Sequence, residues 1–215
     1  MSLALTFTLS VMSLCDLRPG APIPDPVVVA LQQTSYEDLY KSGLTFSGFM
    51  EEAEDQHEEW QENYARDHVA LEMTPSAREI PGNWRLLVVG EDWCSDSVNT
   101  IPYIARLVEG TDGLDMRIVN SKEGRWVMKA HPTPDGRPAT PTVIVLNESG
   151  DKVGCWSERP AVLQNWWLDN PDNLEGREKL DRKFEWYDED AGSETLREIL
   201  EIVKAASDGS PQCTD

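Results

Sequence analysis

Cysteine, histidine and positive charge are all in short supply in this sequence. Its 215 residues carry 19 Lys and Arg against 39 Asp and Glu, a net charge of -20. Nucleic-acid and anionic-membrane binding need clustered cations that release counterions, so neither is expected as a partner. The four cysteines (Cys15, Cys94, Cys155, Cys213) and three histidines (His57, His68, His131) stand far apart. No pair has the close spacing of a zinc site, and no metal is expected. Nor is there a C-x-x-C pair. Long apolar runs are missing too: the opening "MSLALTFTLSVMSLC" is too short to span a bilayer, and no transmembrane segment is expected. A secretory signal would start with Lys or Arg, yet the first is Arg18. The expected location is cytoplasmic, with export the alternative if residues 1–21 are a signal peptide.

What is present reads as one domain with additions. "RPGAPIPDP" (18–26) has four prolines and reads as an extended linker, closing an N-terminal segment over 1–33. A helical extension is predicted over 34–80. Ser35 with Asp38 marks its start, and Phe49, Ala53, Trp60 and Tyr64 give it one apolar face. Its other face, "EEAEDQHEEWQE" (51–62), holds seven acids and no Lys or Arg, and reads as a solvated surface.

A core follows over 81–170. "RLLVV" (85–89) is a strand apolar on both sides, ended by Gly90; a helix then runs through Ile101 and Ile104, kinked near Pro102. "LDMRIVN" (114–120) reads as a second, parallel strand, and "EGRWVMKA" as a short helix. "PTVIVL" and "KVGCW" flank the turn "NESGD" as a hairpin. Helices close the chain over 171–207, with Leu196, Ile199, Leu200 and Val203 on one stripe.

The turn "GEDWCSDS" between first strand and helix, "TPT" opening a later strand and "SGDKVGCWSERP" together resemble a bacterial thioredoxin-like group whose active-site turn is W-C-x-D-C or W-C-x-D-S. The likeness covers roughly 84–168. It implies a thioredoxin fold, α/β with a central mixed sheet flanked by helices, here with an N-terminal helical extension and extra C-terminal helices. It also implies that Thr140–Pro141 is a cis bond lying opposite Cys94, exposing backbone for an extended substrate.

By that resemblance Cys94 is the nucleophile, at a helix start where unpaired N–H groups favour a thiolate. Ser97 stands where a dithiol protein has its second cysteine. It can hydrogen-bond Cys94 but cannot resolve a mixed disulfide. Trp93, Asp96, Thr140 and Pro141 are the expected substrate contacts. The buried Asp of strongly reducing members falls on Val88, and the charge of Asp96, with Glu91 and Asp92, opposes the thiolate, so Cys94 is expected to be only moderately activated. Cys155, on the hairpin, is the candidate resolving thiol; a buried core cysteine is the alternative, and strand parity decides. Cys15 and Cys213 are expected in mobile ends. No cofactor is expected beyond glutathione or another small thiol as co-substrate. The implied function is monothiol thiol–disulfide exchange with cysteine-containing proteins or small thiols as partners; the alternative is a redox-inactive peptide-binding module. A peroxidase is not supported, since no Pro and Thr precede Cys94 in "LLVVGEDWC".

Overall fold

The computed structural model describes residues 34–170 and 176–213. The N-terminal stretch, the linker and signal question, Cys15, and the first residues of the C-terminal segment lie outside them. Residues 34–215 cluster as one unit, so the extension, core and C-terminal helices are parts of a single body.

The expected helical extension is four short helices: α1 (Tyr36–Ser42), α2 (Phe46–Glu52), α3 (His57–Ala65) and α4 (His68–Arg78). Ser35 and Asp38 form a capping box at the start of α1. The breaks have tertiary causes that helical periodicity does not register. Leu44 exchanges two backbone hydrogen bonds with Ile118, each 2.8 Å, which pulls the chain out of helix after α1. The amides of Glu54 and Asp55 donate to the carboxylate of Asp92 at 2.8 and 3.1 Å rather than continuing α2.

The core sheet has five strands: β1 (Trp84–Val89), β2 (Leu114–Val119), β3 (Thr142–Leu146), β4 (Lys152–Ser157) and β5 (Gln212–Cys213). Their spatial order is β2-β1-β3-β4-β5. β2 runs parallel to β1, β3 antiparallel to β1, β4 antiparallel to β3, and β5 parallel to β4. β5 was not expected; two residues carry too little pattern to show as a strand.

β1 is buried on both faces, and its side chains alternate between two apolar clusters. Leu86 and Val88 join Val143, Val145 and Trp156 on the face covered by α6 (Ile101–Gly110) and α10 (Ser193–Ser207). Leu87 and Val89 join Ile144, Leu146 and Cys155 on the face covered by α1 and α7 (Arg125–Ala130). Leu196, Ile199 and Val203 of α10 are fully buried. α10 lies so close to β4 that a Cβ at Gly154 would collide with Ile202.

One expected helix is two. Between β1 and β2 run α5 (Ser95–Val98) and, after a break at Asn99 and Thr100, α6. Pro102 has no N–H to give the Val98 carbonyl four residues back, and the Asn63 amide takes that carbonyl at 2.9 Å. The Trp93-Cys94 turn therefore opens into a single helical turn, with fewer aligned peptide dipoles behind Cys94 than a continuous helix supplies. α8 (Ala161–Asp169) and α9 (Gly176–Asp190) complete the described chain.

Candidate functional site

The turn after β1 carries the candidate site, and the helical extension fastens it from behind. The Asp92 carbonyl accepts from Trp60 Nε1 and Gln56 Nε2, each at 3.0 Å. Trp60 itself is fully buried. Burial alone would push the Asp92 carboxyl up, but the amides of Asp55 and Glu54 together hold it below the usual range. Glu91 Oε1 accepts from the Ser121 amide at 2.7 Å. Both acids, expected to oppose a thiolate, are thus engaged with backbone donors.

Cys94 is the N-cap residue of α5 and a half-buried free thiol. Trp93 beside it is 59% exposed. The Cys94 Sγ donates to the Thr140 carbonyl oxygen at 3.3 Å. The Thr140–Pro141 peptide is cis, and the Pro141 carbonyl accepts from the Glu158 amide at 2.7 Å. The structure therefore brings Trp93, Cys94, Thr140 and Pro141 together. Ser97 is fully buried one turn on, its Oγ 3.5 Å from the Glu91 amide. The Cys94 hydrogen bond goes to Thr140, not to Ser97.

Asp96 is placed differently from expectation. It faces inward, 6% exposed, rather than towards a substrate. Lys183 Nζ lies 3.3 Å from both carboxylate oxygens, Arg159 donates at 3.3 Å, and the Tyr187 hydroxyl donates at 2.7 Å. Burial first, and then the Asp96 charge, push the Tyr187 hydroxyl well above its usual range, so it stays a donor. Arg159 also pairs with buried Glu158 at 2.7 Å, and Lys183 reaches the Ser95 hydroxyl at 2.9 Å. The Trp167 ring closes the cluster, with the Arg159 guanidinium 4.8 Å from its centroid. Asp96 is thus met by two buried cations, Arg159 and Lys183, while Glu158 is shared between Arg159 and Arg137, the latter at 3.1 Å. The Asp96 charge is thereby compensated in place and does not act alone on Cys94.

Cys155 does not stand beside Cys94. It is 3% exposed and joined to Cys213 in a disulfide. It pairs in register with Ile144, four residues along the chain from Thr140, or about 13 Å at strand rise. That removes it as the resolving thiol. Parity put its side chain on the α1/α7 face, and Cys213, expected in a mobile end, is its partner.

Arg159, Lys183 and Tyr187 were missed by sequence reasoning, since they lie 63, 87 and 91 residues from Asp96. A cavity of about 690 Å³ opens elsewhere, between α2, α3, α6 and β2, floored by Phe46, Met50, Trp60 and Met116. Cys94 does not line it. Among the described residues no helix is long and apolar enough to cross a membrane.

Comparison with known proteins agrees with this architecture. A family model described as thioredoxin matches residues 43–191. A protein of unknown function from Pseudomonas aeruginosa is similar in structure, with a TM-score of 0.60 at 21% identity, over 81% of this chain and 99% of that one. An HIV epitope-scaffold is also similar, with a TM-score of 0.59 at 20% identity, over 80% of this chain and 98% of its own. At these identities the two structures speak to fold alone. None of the curated proteins compared matches this chain significantly. With a mixed sheet of this order, a Trp-Cys turn at the end of β1 and a family match over most of its length, the chain belongs to the thioredoxin family.

Proposed function

We propose that the protein carries out monothiol thiol–disulfide exchange at Cys94. The Cys94 thiolate attacks one sulfur of a substrate disulfide, forming a mixed disulfide and expelling the other sulfur as thiolate. Ser97 cannot complete the cycle, so an external thiolate attacks the mixed disulfide. Cys94 leaves as thiolate, and the external thiol departs joined to the substrate sulfur. Glutathione or another small thiol is the co-substrate, and cysteine-containing proteins or small disulfides are the partners. The observation that carries the reading is the placement of a free, half-exposed Cys94 between exposed Trp93 and the Thr140–Pro141 backbone. That backbone offers an extended substrate a place to lie beside the sulfur.

A redox-inactive peptide-binding module is the second reading. It is favoured by the Cys94 hydrogen bond to the Thr140 carbonyl, which only the protonated thiol can make. The test is incubation with oxidised glutathione followed by intact-mass and peptide mapping. One glutathione on Cys94, removed by added thiol, supports exchange. An adduct on another cysteine, or none, sinks it and leaves the binding reading.

A further inference from the structure

The three donors that sequence spacing scattered are gathered by the fold. Cys155 in β4 and Cys213 in β5 face each other in parallel register, with Cα atoms 4.4 Å apart. His131, the residue that ends α7, reaches the same place, and one ligand atom from each of the three lies within 4.8 Å of the others. We propose that His131, Cys155 and Cys213 form a redox-gated site for a divalent cation of the zinc class, separate from the Cys94 centre.

The donor chemistry suits such an ion. Two thiolates and one imidazole form a set that zinc takes up in tetrahedral geometry, with water at the fourth position. The imidazole is already oriented. His131 Nε2 hydrogen-bonds the Tyr36 hydroxyl at 2.8 Å, so the proposal assigns Nδ1 to the metal. A ligating histidine characteristically has its other ring nitrogen held in this way. The Ser157 hydroxyl donates to the His131 carbonyl at 2.9 Å and fixes its backbone.

The disulfide is the gate. A dithiol reductant supplies two electrons and two protons, opening Cys155–Cys213 to two thiols while its own sulfurs close into a disulfide. The metal ion then displaces both thiol protons and binds the two thiolates. Sulfurs sharing a tetrahedral zinc sit about 3.8 Å apart, given Zn–S bonds of ~2.3 Å. The movement this requires falls on β5, a two-residue strand at the sheet edge. Lys152 Nζ, 3.7 Å from Cys213 Sγ, faces the thiolate in the reduced, metal-free form and turns to solvent when the ion arrives. A small disulfide such as oxidised glutathione takes two electrons from the two thiolates and leaves as two thiols, closing Cys155–Cys213 and releasing the ion.

The test uses the full chain with Cys15→Ser and Cys94→Ser, which removes the other thiols. After reduction by a dithiol and anaerobic removal of the reductant, the protein is titrated with Co²⁺. The expected result is one Co²⁺ per chain with sulfur-to-cobalt charge-transfer and tetrahedral ligand-field bands, displaced by Zn²⁺ and absent from the oxidised protein. Tyr36→Phe is expected to weaken binding by about 10–100-fold, the usual cost of losing an outer-shell partner. Cys213→Ser should abolish the charge-transfer band. Should that variant fail to fold, His131→Asn reports on the nitrogen ligand by changing both affinity and the ligand-field bands. No thiolate band on reduction, an equal signal in the oxidised protein, or binding unchanged in His131→Asn would overturn the proposal.

Discussion

Replacing Asp96 with Asn removes the buried carboxylate that both Arg159 and Lys183 bond, leaving Arg159 to Glu158, which Arg137 shares, and Lys183 to the Ser95 hydroxyl. Both cationic side chains are 4% exposed, so water cannot take over the lost partner. Breaking a buried ion pair from one side costs about 3–5 kcal/mol. The lower end applies here, because Asn still accepts from Tyr187 and Lys183 keeps Ser95 and its place near the Trp167 ring. For a chain of this size, ~3 kcal/mol lowers Tm by about 6–12 °C. Thermal unfolding followed by circular dichroism at pH 7, without reductant, reads the change. The double variant Asp96→Asn/Lys183→Met removes one charge of each sign from the same ion pair and should recover part of the loss, a non-additivity of at least ~1 kcal/mol. The same substitution leaves excess positive charge one residue beyond Ser95, so Cys94 should also alkylate faster at neutral pH. An Asp96→Asn protein within about 0.5 kcal/mol of wild type, the range of an ordinary surface change, or a double variant that loses the sum of both single effects, would refute the charge-balance reasoning.

Three further outcomes are expected. Reducing Cys155–Cys213, which are 58 residues apart, should cost about 4 kcal/mol by loop-closure entropy, read as a fall in the urea midpoint with added dithiol and reproduced by Cys213→Ser. Asp190 has its carboxyl raised to about 6, chiefly by burial. Its unfolded value is ~3.9, so the native state holds the proton more tightly, and the stability this contributes at low pH is lost as pH rises from about 4 through about 6. Asp190→Asn should therefore gain on wild type across that window in urea denaturation; a constant difference would contradict the assignment. Ser97→Cys should supply the missing resolving thiol. With oxidised glutathione it should finish as an internal disulfide, two hydrogens lighter, where wild type retains the glutathione.

The local patterns proved legible and the long-range pairings did not. The "RLLVV" run, the alternation before and after "NESGD" and the α10 stripe each report burial through a period of two or 3.6, so β1, β3, β4 and α10 could be read. Ser35 and Asp38 marked the start of α1 because a capping box needs only residues three apart. The helical extension was legible but its breaks were not, because Leu44 and the amides of Glu54 and Asp55 bond to β2 and Asp92, partners no periodicity contains. Pro102 was read as a kink, but it starts a new helix, since Asn63 supplies the donor that the proline lacks. At the site, the resemblance located Trp93, Cys94, Thr140 and Pro141, which adjoin one another. It could not supply the partners of Asp96, nor show that Cys155 meets Cys213 and His131, because those meetings depend on how α7, α9 and β5 return to the sheet.

The central claim is that Cys94 is a working nucleophile, and its reactivity in the folded protein tests that most directly. With Cys15→Ser and the Cys155–Cys213 disulfide intact, Cys94 is the remaining free thiol. Its rate with an aromatic disulfide reagent at pH 7 is to be compared between the native protein and the same protein unfolded in urea, where the thiol has its ordinary reactivity. The expected result is faster reaction in the native state, despite partial burial, with release of the product by added glutathione. Slower reaction in the native state would contradict the claim, marking Cys94 as a shielded thiol and the Thr140–Pro141 groove as a binding surface.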